Sequence, residues 1–386
     1  MKKFDSLRGK AFFFLMFIWF VWFMTFTARS IFSPVLPLIE DEFVVTHGRA
    51  ASILAVSGIG YGLSLFFAGT VASFLGPKKS ILLSTILSGV TMLLFSLART
   101  FEVYYVLAFI LGVALGVYMP SVMPLITDHY EERLWSKAIG IHGSAPSVSV
   151  FSAPFIALGI LSLLPWRAVF VLPGIVFLLC GLLFYFVTDE VTLGKEKHFF
   201  IGSLLKQRAI WVMGILWIFS AGANIGLYLV IPLYLVKELS LNIDYANTIF
   251  GFSRLGGAIL TIVSGFFVDR FSLKRACFFL VASTGILTML LAISSVRWTP
   301  LFLFLQACIS PTFFLVGFVA LAKLFDRDQR GHATGFVVSI GILGTGVVPY
   351  VVGLSGDYWS FRIGIFLVGM FTALSSGLLY TLKELE

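Results

Sequence analysis

Charge is scarce in this chain. Only 12% of its 386 residues are charged while 59% are hydrophobic, a pairing that excludes a water-soluble globular protein. Cysteine is scarcer still. Cys180, Cys277 and Cys308 all fall in apolar stretches, odd in number and without metal-ligand spacing, so neither a disulfide framework nor a cysteine metal site is expected. No Gly-Lys-Ser/Thr loop that would cradle phosphates occurs, which argues against ATP-driven work. No cluster of His, Cys or acidic residues suits a metal, no cofactor is expected, and nothing reads as catalytic. No cleavable signal peptide is expected either, because the first apolar block runs well past the roughly 7–15 residues of an h-region. Acid is missing from one place in particular: none of the 19 Asp and Glu residues lies deep in an apolar stretch.

What the chain has is long apolar runs. At about 20 residues per crossing, they predict an all-α membrane protein with spans at 11–38, 48–73, 80–98, 103–126, 137–164, 167–187, 209–236, 244–268, 275–296, 299–322, 331–355 and 359–381. The longest polar gap divides these twelve into an N-terminal six-helix bundle (1–187), a linker (188–208) and a C-terminal six-helix bundle (209–386). The net charge of +8 follows from topology and not from a nucleic-acid-binding face. Of the 27 Lys and Arg residues, 19 sit at one set of loop ends and six at the other. By the positive-inside rule both termini are expected in the cytoplasm, in a cytoplasmic (inner) membrane. The aromatic load around Phe12, Phe13, Phe14, Trp19, Trp22 and Phe23 reads mainly as lipid-facing filler and interfacial belt.

The halves repeat one another. Gly69 to Lys79 pairs with Gly265 to Arg275, and Ser57-Gly58-Ile59-Gly60 with Ser253-Arg254-Leu255-Gly256, both at an offset of 196. Pro37 matches Pro232 at 195 and Arg133 matches Arg330 at 197. A nearly constant offset implies two copies in the same orientation, related by an axis along the membrane normal.

The segment Gly265-Phe-Phe-Val-Asp-Arg-Phe-Ser-Leu-Lys-Arg275 resembles the G-x-x-x-D-R-x-G-x-K/R-R loop between the second and third helices of each half in the major facilitator superfamily. The resemblance covers the whole chain. It implies a rocker-switch carrier gated at that loop, with Gly265, Asp269, Arg270, Lys274 and Arg275, together with Arg133 and Arg330, as gating residues. In the first half Ser73 and Phe74 stand where the acid and arginine would be, so the latch is expected to be asymmetric.

Two arginines lie inside apolar helices, where a cation costs roughly 2.5–3.5 kcal/mol even on an insertion scale. Arg29-Ser-Ile-Phe-Ser-Pro-Val-Leu-Pro37 resembles the first helix of the organophosphate:phosphate antiporters and anion:cation symporters, which implies that Arg29 contacts an anionic substrate group. The same families place a histidine early in helix five, where His142 stands here. The phosphate-ester antiporters carry a second arginine in helix seven. Eight residues before Pro232 that position holds Asn224, and the second cation is instead Arg254 on helix eight, as in oxalate and monocarboxylate transporters. From the helix entrance near Asp244 to Arg254 is about 15 Å at 1.5 Å per residue, the middle of a hydrocarbon core about 30 Å thick. With no buried acid as partner, hydroxyls, carbonyls, water or a substrate anion must satisfy each guanidinium. Asn224, Tyr228 and Tyr61 are the expected polar lining. As the only nearby side chain that titrates near neutral pH, His142 is a candidate for a coupling proton.

The function expected is therefore secondary active transport of a small organic anion, of carboxylate type, by alternating access, with a proton as coupling ion and the protein as a monomer. Three alternatives stand beside it: an inorganic-anion carrier of nitrate type, a multidrug antiporter, and a membrane receptor that does not transport. Drug antiporters predict an arginine four residues before Gly112 and a G-P-x-x-G-G kink in helix five. The chain has Ala108 and Gly143-Ser-Ala-Pro146-Ser-Val instead.

Overall fold

A chain lying in hydrocarbon must satisfy its backbone N–H and C=O groups internally. The computed structural model describes residues 3–188, 202–264, 272–325 and 330–382, and among these it is almost wholly helical. In chain order the first helices are α1 (Lys10–Ser30), α2 (Phe32–Phe43), α3 (His47–Leu75), α4 (Pro77–Leu97), α5 (Phe101–Gly116) and α6 (Tyr118–His129). They are followed by α7 (Glu132–Gly143), α8 (Ala145–Leu161), α9 (Ala168–Val187), the short α10 (Gly202–Leu205) and α11 (Arg208–Ala221). A π-helical turn, Gly222–Gly226, leads into α12 (Leu227–Lys237). The remainder are α13 (Ile243–Ser264), α14 (Leu273–Ile293), α15 (Thr299–Ile309), α16 (Thr312–Leu324), α17 (Arg330–Tyr358), α18 (Phe361–Ser375) and a 3₁₀ tail, Ser376–Thr381.

Ten segments among the described residues, some of them two joined helices, are long and apolar enough to cross a bilayer. With α3 and α13, of 29 and 22 residues, twelve helical segments have membrane length. This is an all-α, multi-pass membrane protein. Large apolar side chains such as Phe186, Phe279 and Leu374 are 73%, 64% and 66% exposed, a surface suited to lipid and not to water.

Five predicted spans are each two helices meeting at an irregularity. Four of the breaks, at Ile31, Val117, Ser144 and Ser310-Pro311, fall within the four residues up to Pro34, Pro120, Pro146 and Pro311. Proline removes an N–H and crowds the carbonyl four residues earlier, so the helix must re-aim there. The fifth irregularity, the π turn, has no proline beside it. It lies where α17 comes closest: a Cβ on Gly226 would stand 2.9 Å from the carbonyl oxygen of Gly344.

The chain divides into two compact units, Met1–Phe32 with Val56–Lys197, and Ser33–Ala55 with His198–Glu386. In the first, Phe14, Leu15, Ile18 and Trp22 of α1 pack with Tyr118 and Val122 of α6 and Phe184 of α9. Phe14 and Trp22 are thus core residues and not part of the lipid belt, since their positions on α1 share the face that meets α6. Helices α3 and α5 approach so closely that a Cβ on Gly112 would overlap the Ser57 carbonyl oxygen and lie 2.9 Å from the backbone N of Tyr61. The second unit is centred on Trp217 of α11, Val281 of α14, Phe313 and Val316 of α16, and Val337 of α17.

A charged cluster of the second unit ties the α2–α3 corner to α12 and α17. Glu40 pairs with His47 Nδ1 at 2.8 Å and with Lys237 at 3.2 Å, and Lys237 also pairs with Asp41. Asp357 accepts from the backbone N–H groups of His47 (2.7 Å) and Gly48 (2.9 Å). Its carboxylate thus caps the start of α3, where negative charge is favoured.

Candidate functional site

The π turn shapes the neighbourhood of Arg254. A π-helical turn closes i→i+5 hydrogen bonds and leaves nearby carbonyls without their usual partners. Two of them are taken by side chains: the Ala223 carbonyl accepts from Gln306 Nε2 of α15 at 2.8 Å, and the Asn224 carbonyl accepts from Arg254 Nη2 of α13 at 2.9 Å. Arg254 Nη1 donates to Asn224 Oδ1 at 2.8 Å, and the Ser310 hydroxyl donates to the same oxygen at 3.0 Å. Both terminal nitrogens of the guanidinium therefore rest on one neutral residue.

Arg254 is 8% exposed and its Nε–H has no partner. Its Cζ lies 3.8 Å from the centre of the Tyr228 ring, and Tyr228 stacks on Phe250 with ring centres 4.0 Å apart. Ring π-electrons offset part of the charge. Among the described residues neither Arg254 nor Arg29 is paired with a carboxylate. Asn247 of α13 donates to the Pro34 carbonyl at 3.2 Å, and Ser33 donates to the Tyr228 carbonyl at 3.3 Å, which seats α2 against this region.

In the first unit, partly buried Arg29 lies over the ring of Tyr61 at 4.1 Å and that of Phe26 at 5.5 Å. Two of the predicted site residues, Arg29 and Tyr61, are thus together there, and three, Arg254, Asn224 and Tyr228, are together in the second unit.

His142 has other neighbours in the first unit. It is fully buried at the end of α7, stacked on Trp22 (5.9 Å, 8°) and Tyr118 (6.0 Å, 15°). The Tyr118 hydroxyl donates to the Ile18 carbonyl at 2.7 Å, so the 3.3 Å contact from His142 Nε2 is one in which the imidazole donates. That assigns the Nε2–H tautomer and leaves Nδ1 as a buried acceptor with no partner.

Of the predicted gating residues, Gly265, Asp269 and Arg270 lie outside the described residues. Arg330 opens α17. Lys274 is buried with its Nζ 5.8 Å from the Tyr380 ring, and Arg275 is exposed. Arg133 pairs with Glu131 at 2.7 Å and donates to the Asp5 carbonyl at 2.7 Å. Gln306 and Ser310 were not among the predicted site residues. A signal for the first was present, since Gln306 is the one glutamine within a predicted span.

The sequence profile of the Major Facilitator Superfamily matches residues 18–318 and 230–385. The chain is 24% identical over 335 residues to the probable nitrate transporter NarT of Staphylococcus epidermidis, covering 85% of this chain and 84% of that protein. It is 28% identical over 153 residues to the benzoate transport protein of Acinetobacter baylyi, covering 38% of this chain and 32% of that protein, about a third of its length. A bacterial homologue of the human lysosomal transporter Spinster, solved in an inward-facing and unoccupied conformation, superposes with a TM-score of 0.81 at 14% identity over 97% of each chain. That likeness shows the fold alone.

Proposed function

From the premise that this chain belongs to the Major Facilitator Superfamily, we propose that it carries a small organic anion of carboxylate type across the cytoplasmic membrane by alternating access. The observation that carries this reading is the buried guanidinium of Arg254, held by neutral Asn224 and Tyr228 with its Nε–H unpartnered. A buried cation left short of one acceptor is completed by a visiting anion, and a carboxylate meets a guanidinium edge with two parallel hydrogen bonds. Arg29 over Tyr61 offers the same chemistry in the first unit. We assign the two six-helix bundles to 1–187 and 209–386, the termini to the cytoplasm, and the cytoplasmic gate to the loop around Asp269. The free Nδ1 of His142 is the acceptor proposed for a coupling proton.

A second reading, an inorganic planar anion, is favoured by the similarity to a probable nitrate transporter over 85% of this chain. Uptake of labelled benzoate and of labelled nitrate into proteoliposomes separates the two. In either case Arg254→Gln is expected to lower uptake roughly 10- to 100-fold, the worth of a charge-assisted hydrogen bond of about 1.5–3 kcal/mol. Uptake unchanged in that variant, at equal protein incorporation, would refute the assignment.

A further inference from the structure

Helix α15 and its C-cap contribute two polar side chains one turn apart, Gln306 and Ser310, each 1% exposed. Both are spent on the π turn. Gln306 takes the Ala223 carbonyl, with Thr288 Oγ1 3.5 Å from the same amide, and Ser310 takes Asn224 Oδ1. The orientation of the Asn224 amide is settled by its neighbours, because Arg254 can only donate and an amide nitrogen in the Oδ1 position would face it donor to donor. Asn224 therefore presents two acceptor oxygens, its carbonyl and Oδ1, to the terminal nitrogens of Arg254. Each is backed by the π turn and α15, so Asn224 cannot swing away without breaking the Ser310 contact. What remains for a ligand is the side edge of the guanidinium, where Nε–H lies unpartnered.

Taking Arg254 as the anion-binding group proposed above, we infer that Gln306 and Ser310 are positioning residues that fix which edge of Arg254 meets the anion. The site they create admits planar anions presenting two oxygens side by side, in preference to tetrahedral dianions. The reason is electrostatic as well as geometric. A carboxylate or nitrate lays two oxygens along one guanidinium edge. A phosphonate or phosphate carries a third oxygen and a second negative charge into the neighbourhood of the two Asn224 acceptor oxygens, which repel it. Loosening Asn224 frees the terminal edge of Arg254 and removes that discrimination.

The test is equilibrium binding to the full-length protein, with benzoate against phenylphosphonate and nitrate against phosphate as probe pairs, and with thermal midpoints recorded in parallel. The wild type is expected to prefer the planar member of each pair at least tenfold. Ser310→Ala and Gln306→Leu should each reduce that preference roughly fivefold, the effect of one net hydrogen bond. Ser310→Thr, which keeps the hydroxyl, should restore it. A role confined to packing would lower the midpoint while leaving the ratio unmoved, and that outcome overturns the inference alone. If the wild type binds no probe, or binds one equally well after Arg254→Gln, the reading of Arg254 falls and this inference falls with it.

Discussion

Replacing Asn224 by aspartate changes one side-chain amide nitrogen into an oxygen and almost nothing else in size. Arg254 Nη1 already lies 2.8 Å from Oδ1 and Nη2 lies 2.9 Å from the backbone carbonyl, so the variant turns a neutral cap into an ion pair without moving a helix. Two unit charges about 4 Å apart interact by about 4 kcal/mol at an effective dielectric constant of 20. An anion at the free side edge of the guanidinium would stand about 7 Å from the new carboxylate and meet a repulsion of about 2 kcal/mol. Affinity should accordingly fall roughly 10- to 50-fold, at about 1.4 kcal/mol per factor of ten. Folding is a separate matter, since the new attraction to Arg254 is opposed by the cost of burying a second charge. The thermal midpoint without ligand is therefore expected to stay within a few degrees of wild type. The assay is uptake of labelled benzoate and nitrate into proteoliposomes, with the unliganded midpoint as a check on folding. An Asn224→Asp protein that folds, inserts and transports with wild-type affinity would show that Arg254 does not receive the anion.

Other predictions rest on different parts of the molecule. The His47 imidazole is held above its ordinary range first by the hydrogen bond to Glu40, with partial burial opposing, the Glu40 and Asp357 charges adding to the rise and Lys237 opposing it. Its contribution to stability is thus fully present below the unfolded value of about 6.5 and is lost as pH rises through the higher folded value. The wild-type thermal midpoint should accordingly decline above about pH 6.5, and His47→Gln should flatten that decline; equal slopes for the two proteins would dismiss the pairing as a source of stability. Gly112→Leu should destabilise by about 1–3 kcal/mol through overpacking between α3 and α5, because a Cβ already overlaps the Ser57 carbonyl; a midpoint equal to wild type would contradict the close approach. His142→Phe keeps a ring against Trp22 and Tyr118 but removes Nδ1, so uptake should persist while its pH dependence weakens. A wild-type pH profile in that variant would end the proton assignment.

Much of the fold was legible because each step depends on local chemistry. Apolar length set the helical segments, and four of the helix breaks sit at prolines visible in the sequence. The two arginines within apolar helices stood out because charge in an apolar run is costly, while Tyr61 and Tyr228 were legible only as polar lining, and their rings lie against the guanidiniums. The repeat also carries a packing consequence. Gly60 and Gly256, at matching positions, each face a neighbouring helix closely, α5 in one unit and α15 in the other. Less could be read of His142, whose burial against two rings depends on α1 and α6 and not on α7 itself.

The sequence by itself determined that this chain lives in a membrane, how many times it has the length to cross, and that two cations lie within apolar helices without acid beside them. Those properties follow from transfer free energies, which add residue by residue. Tertiary structure alone decided what Arg254 touches. Asn224 is 30 residues away in sequence, Ser310 is 86 from Asn224, and Gln306 is 83 from the carbonyl it holds. The π turn that brings them together has no local signature, because it forms where Gly226 and Gly344 let two helices come close, and such an approach depends on both partners at once.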